Sequence, residues 1–199
     1  MLIKDSGGVT FEQAPVGTHV ARCIKLIDLG TQTGEYLGQA TKKRQLLVSW
    51  ELPNALMTTG EFKGKPFSAS KFYTMSLNEK SALRKDLVTW RGREFTPDEL
   101  NGFEAKNILG KPCMISITLN QNGKAKVSAV MSLPQGMTCP PQVNPSILFD
   151  LSNFSHEVFN TISKGIQAII EKSPEFKHVS MGDLQGTPAA QEEDEDIPF

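Results

Sequence analysis

A chain of 199 residues with 39% hydrophobic side chains holds one domain with a proper core plus extensions, which excludes a wholly disordered chain. Three cysteines far apart, Cys23, Cys113 and Cys139, form no C-x-x-C pair; this excludes a disulfide framework and a zinc site, and fits a reducing cytosol. The formal charge of −1 hides an asymmetry: residues 1–133 carry 18 Lys and Arg against 12 Asp and Glu, a net of +6, whereas residues 134–199 carry 3 against 10, a net of −7. A basic body with an acidic tail points to a polyanionic partner, with the tail as its mimic or competitor.

In chain order, residues 1–15 read as a Gly/Pro-punctuated arm with no apolar h-region, so no secretory signal is expected. No apolar run approaches membrane-spanning length, so no membrane partner is expected either. Residues 19–29 alternate as a first strand, partly sheltered because Arg22 and Lys25 interrupt its two faces. Residues 30–40 carry Gly30, Gly34 and Gly38 at a spacing that fits neither a Walker loop nor G-x-G-x-x-G, and read as a flexible loop. A second strand over residues 42–52 places Leu46, Val48, Trp50 and Leu52 on one face, and a third covers residues 67–77.

Two capping boxes follow. Ser76-Leu77-Asn78-Glu79 predicts a helix running to Trp90 with Leu83, Leu87 and Trp90 inward, and Thr96-Pro97-Asp98-Glu99 predicts a second ending by Gly110. Residues 112–119 and 124–130 form a hairpin turned at Asn120-Gln121-Asn122-Gly123. Residues 134–150, with four prolines, read as irregular. Residues 155–172 read as a helix with Val158, Phe159, Ile162, Ile166, Ile169 and Ile170 inward. That stripe is expected to cover the domain's own core rather than a second subunit; oligomeric state stays open. Residues 180–191 form a Gly/Ser/Pro-type tether to the acidic end.

Three strands, an intervening helical segment, two strands and an added C-terminal helix give a mainly β chain with the layout of a five-stranded OB barrel, a fold that commonly binds oligonucleotides. The tail sharpens this. Glu192, Glu193, Asp194, Glu195 and Asp196 run into Ile197, Pro198 and Phe199, offering a ring for an apolar pocket and a terminal carboxylate for a basic rim. The tip, Asp194, Glu195, Asp196, Ile197, Pro198 and Phe199, resembles the C-terminal tip of bacterial single-stranded DNA-binding proteins. In that family the tip docks replication, recombination and repair enzymes and competes with DNA. The body resembles phage-encoded OB-fold proteins of replication and recombination. The stretches that carry this are Asp28-Leu29-Gly30-Thr31-Gln32, Ser49-Trp50-Glu51-Leu52-Pro53, Phe72-Tyr73-Thr74-Met75-Ser76-Leu77, Leu87-Val88-Thr89-Trp90-Arg91-Gly92-Arg93 and Leu109-Gly110-Lys111-Pro112-Cys113.

These resemblances imply an N-terminal arm at 1–15, an OB domain at 16–178, and a disordered linker with a docking tail at 179–199. They imply single-stranded DNA as partner, with duplex DNA left open, replication and recombination enzymes recruited by the tip, and a place in the bacterial host cytoplasm. Binding a single strand needs a basic groove and flat side chains. Lys71 and Tyr73 on the third strand are the expected cation and stacking ring, with Phe72 in the core, and Tyr36 in the first loop is a second ring. Lys42, Lys43 and Arg44 form the densest basic cluster. Arg91 and Arg93 at a helix end compete between DNA contact and the helix dipole, and Lys124 and Lys126 flank the hairpin. Trp50 and Trp90 read as core.

No catalytic residue, metal site or cofactor is expected. His19, His156 and His178 stand apart from Cys and carboxylate clusters, and Asp98-Glu99 reads as helix capping. An OB-fold adaptor that binds protein rather than DNA is the alternative reading.

Overall fold

β1, at Gly17–Tyr36, is the strand to which most of the others are joined. The computed structural model describes residues 12–36 and 38–185, with no side-chain description for Tyr36 or 180–185. The expected N-terminal arm up to residue 11 and the acidic tip (Asp194, Glu195, Asp196, Ile197, Pro198, Phe199) lie outside the described residues.

The chain is mainly β. β2 (Gln39–Leu56) pairs antiparallel with β1 over almost its whole length, from Arg22↔Glu51 to Tyr36↔Gln39. The stretch 30–40, expected as a flexible loop, is therefore a long two-stranded ribbon. Its alternation of Thr and Gln gave β-branched and polar side chains suited to a solvated ladder, but no apolar face to reveal it. β3 (Pro66–Thr74) pairs with β2, β4 (Pro112–Leu119) with β1, and β5 (Ala125–Met131) with β4. The path is β3-β2-β1-β4-β5. A sixth strand, β6 (Ile147–Phe149), pairs parallel with β1 inside the stretch expected to be irregular. β3 and β5, the ends of the path, come within 8 Å of each other, but among the described residues no ladder joins them. The sheet is not closed by hydrogen bonds.

Between β3 and β4 lie α1 (Ala82–Arg91) and α2 (Pro97–Asn101). α1 buries Leu83, Leu87 and Trp90 as the spacing predicts, but it starts later. Ser81, not Ser76, caps it by accepting the Arg84 amide at 3.1 Å. Ser76 instead accepts the Asn78 amide at 3.1 Å in a turn before the helix, so its hydroxyl is already committed. Thr96 and Glu99 form the reciprocal box as read, yet α2 stops at Asn101 before Gly102.

The expected C-terminal helix is broken into α3 (His156–Thr161) and α4 (Lys164–Ile170), followed by α5 (Pro174–Gln185), which is helical past residue 178. Buried Gln167 explains the break. Its Nε2 donates to the carbonyls of Phe159 at 2.7 Å and Ile162 at 2.9 Å, satisfying the open end of α3. Among the described residues no helix is long and apolar enough to cross a membrane.

The two faces of β1 and β2 bury separate apolar clusters. One contains Leu26, Leu46, Val48, Trp50 and Leu52 with α1 residues Leu83, Leu87 and Trp90. Trp50 and Trp90 meet there at 6.1 Å, both core as expected. The other contains Ile27, Leu29 and Leu47 under Phe149, Leu151, Phe159, Ile162 and Ile170. The apolar stripe of the C-terminal helices thus covers the chain's own sheet. Polar side chains pin this layer. Glu51, fully buried, accepts the amides of Val143 at 2.9 Å and Asn144 at 2.6 Å, while its register partner Arg22 donates to Pro140 O at 3.0 Å. Glu175 at the start of α5 accepts the Thr31 amide at 2.8 Å. Gly30 makes that docking possible: its φ is +68°, and a Cβ would lie 2.4 Å from the Ser173 Cβ.

Candidate nucleic-acid interface

Alternation along β3 sends Phe67, Ala69, Lys71 and Tyr73 to one face and Ser68, Ser70, Phe72 and Thr74 to the other. The first face lies against the core and α1. Tyr73, expected to be the exposed stacking ring, is 3% exposed, and Phe72, expected in the core, is 51% exposed. The reason is Asp86 on α1, whose carboxylate accepts the Tyr73 hydroxyl at 2.6 Å and the Lys71 ammonium at 2.6 Å. With that partner in place, both polar tips turn inward at little cost. Burial, then the bond to Asp86, pushes the Tyr73 hydroxyl far above its ordinary range. Lys71 also lies 5.2 Å over the Tyr73 ring. The Tyr73 ring is thus closed off from a stacking base, and Lys71 keeps 22% of its side chain exposed.

The arginines are committed as well. Arg44 is ion-paired with buried Asp28 and donates to Ser152 Oγ at 3.4 Å. The Asp28 bond raises its pKa further. Arg91 pairs with Glu99 and stands 4.4 Å over the Phe95 ring, and Arg93 donates to the same carboxylate at 2.7 Å. Besides the helix end, both therefore meet a carboxylate at the start of α2, Arg91 largely buried and the Arg93 side chain 56% exposed. Glu99 is held at a pKa of about 2 by Arg93 and by the Thr96 amide.

Lys42, Lys43, Lys124 and Lys126 are exposed, and among the described residues they make no ion pair. Lys42 and Lys43 sit on the ribbon, opposite Thr33 and Gln32. The ribbon emerges beside the end of β3, where Gln45 pairs with Thr74. Tyr36 closes the register at the ribbon tip opposite Gln39; its side chain is outside the description. Lys124 and Lys126 are at the other end of β3, lining a cleft with Ser68, Ala69 and Ser70.

The outward face of β3 therefore carries one large exposed ring, Phe72, between two hydroxyls and a threonine, and unpaired lysines bracket it. Sequence reasoning missed Phe72, although a signal was available. Ser68, Ser70 and Thr74 share its parity, and three polar neighbours mark the solvent face. Ser70 and the buried Ser49 of β2 meet across the strands at 2.8 Å, so the exposed part of the strip stays on β3. Among the described residues no group of three or more His, Cys, Asp or Glu is arranged to hold a metal ion.

No protein-family model matches the chain, and no curated protein is significantly similar to it.

Proposed function

We propose that this chain is a phage single-stranded DNA-binding protein of the OB-barrel type, acting in replication, recombination and repair and recruiting partner enzymes through its acidic tip. The strand path β3-β2-β1-β4-β5, with its ends drawn within 8 Å of each other, supports the barrel reading. The observation that carries the function is the exposed Phe72 ring on β3 with unpaired lysines at both ends of the strand. A base has a π-face for the ring whatever its identity, and phosphates on either side meet Lys124 and Lys126 or Lys42 and Lys43, so binding is sequence-tolerant. From Ser68 to Thr74 this track measures about 20 Å; OB folds cover about 4–16 nucleotides.

The tip adds regulation. Five acids before Ile197, Pro198 and Phe199 compete with DNA for the lysines and are freed to dock an enzyme when a strand is bound. The test is a titration of labelled oligothymidylate at several salt concentrations. Affinity should fall steeply with salt, with a slope of about −0.7 per phosphate neutralised, and deletion of residues 192–199 should strengthen it while abolishing enzyme recruitment. A body that shows no salt-sensitive affinity for single strands ends this reading.

A protein-binding adaptor is the second reading. It is favoured by the internal pairing of Lys71, Arg44, Arg91 and Arg93, which leaves fewer cations free of a carboxylate than the sequence suggests. Capture of replication proteins by a body that ignores DNA would establish it.

A further inference from the structure

The connection between β2 and β3 carries an aromatic ring that nothing so far explains. Phe62 is 42% exposed at the tip of a hairpin that is firmly made. Its base is closed by Met57 N to Lys65 O at 2.9 Å and Gly64 N to Met57 O at 2.8 Å, its tip by Lys63 N to Gly60 O at 3.3 Å, and the return to the base by Lys65 N to Phe62 O at 3.0 Å. Gly60 and Gly64 take φ of +73° and +81°, which the tight path requires. An apolar ring held in solvent by a rigid turn is built for contact. Lys65 Nζ stands 5.4 Å over its face, and Lys63 and Lys65 are exposed with no ion pair among the described residues.

A second hairpin is brought beside it by two consecutive residues of the N-terminal segment. Glu12 grips the first hairpin, its carboxylate accepting the Thr58 amide at 2.8 Å, the Thr58 hydroxyl at 2.9 Å and the Thr59 amide at 3.1 Å. Gln13 grips the second, accepting the Ala125 amide at 2.7 Å and donating to Gly123 O at 3.5 Å. Adjacent Cα atoms are about 3.8 Å apart, so the two hairpins are clasped side by side across the gap between β3 and β5. The clasp sets the hairpin that carries Phe62, Lys63 and Lys65 beside the one that carries Lys124, with Lys126 just beyond it.

We infer that these two hairpins form a second single-strand contact, in which Phe62 stacks on a base and the four lysines hold the phosphates leaving the β3 track. Glu12 and Gln13 are positioning residues that assemble it. This inference rests on the DNA-binding reading and extends it. A strand long enough to pass Phe72 and run off the start of β3 reaches the clasped hairpins; a short one does not.

The experiment measures full-length protein against oligothymidylates of about 4 and about 16 nucleotides. Phe62→Ala should weaken the long one about tenfold and leave the short one unchanged. Lys63→Gln with Lys65→Gln should reduce the salt slope for the long strand alone, by about 0.7 for each lysine lost. Glu12→Ala should reproduce the same length dependence. If both side-chain variants bind both lengths like the parent chain, the second contact is wrong while the β3 track stands. Equal weakening at both lengths also overturns it, by making Phe62 part of the first track. If the parent chain binds neither length, the DNA-binding reading itself fails.

Discussion

The basic side chains of this protein fall into two populations, and the sequence does not separate them. Lys71, Arg44, Arg91 and Arg93 each meet a carboxylate, from Asp86, Asp28 or Glu99. Lys42, Lys43, Lys124 and Lys126 meet none among the described residues and stand on hairpins that project from it. Arg44 and Lys43 are adjacent in the chain yet belong to opposite populations, because alternation turns one toward buried Asp28 and the other away. The difference teaches that local basic density is a weak guide to a binding surface. What matters is whether a long-range fold contact has already supplied the anion.

Exchanging members of the two populations should break this division in order of size. The largest effect is expected from Asp86→Ala, which strands the buried Tyr73 hydroxyl and the half-buried Lys71 ammonium together. A loss of about 2–3 kcal/mol in unfolding free energy should be seen by urea titration, with DNA affinity per folded molecule little changed. Phe72→Ala should do the opposite: about 1–3 kcal/mol lost in oligonucleotide affinity and no loss in the urea midpoint. A lowered midpoint would place Phe72 with Tyr73 in the fold. Lys42→Gln with Lys43→Gln should act more mildly, lowering the salt slope by about 1.4 in total while stability stays put. An unchanged slope would remove the ribbon from the interface.

The smallest effect concerns pH. Glu99 has its pKa depressed to about 2 by Arg93, the Thr96 amide and Arg91. A depressed carboxylate contributes stability that is present above its unfolded value, about 4.3, and lost as pH falls through the folded one. The cluster with Arg91 and Arg93 should therefore hold until the pH approaches about 2. In Glu99→Gln the unfolding midpoint should depend less on pH across that window; equal dependence would mean the cluster contributes nothing.

Much of the fold was legible because side chains announced it locally. Leu46, Val48, Trp50 and Leu52 marked β2, Leu83, Leu87 and Trp90 marked α1, and Asn122-Gly123 marked the turn before β5. The ribbon was not legible, since a ladder solvated on both sides has no apolar period to show. β6 was not legible either: three residues among prolines acquire strand geometry only because β1 offers an edge where β4 has ended. The break at Ile162 was hidden because Gln167 acts on α3 from the next helix. For the interface, the lysines of the ribbon and hairpin were readable as exposed. The exchange of Phe72 for Tyr73 was not read, because hydrophobicity outweighed the parity of three hydroxyl-bearing neighbours. The buried choice was made by Asp86, thirteen residues beyond Tyr73.

β1 has a consequence in time. Its partner β2 follows at once, so that ribbon closes a short loop, whereas the pairing of Ala21 with Cys113 must wait for a far longer one. The ribbon is thus the natural early structure in folding, and the β4–β5 hairpin is a second local unit that docks onto its free edge. Amides of β1 between Arg22 and Ile27, held by β2 on one side and by β4 or β6 on the other, should exchange with solvent deuterium only through the most global opening. Those near the ribbon tip, with one partner each, should exchange far sooner. The same strand would then be the slowest and among the fastest parts of the molecule to open, and its fast end is the one paired with the β2 residues Lys42 and Lys43.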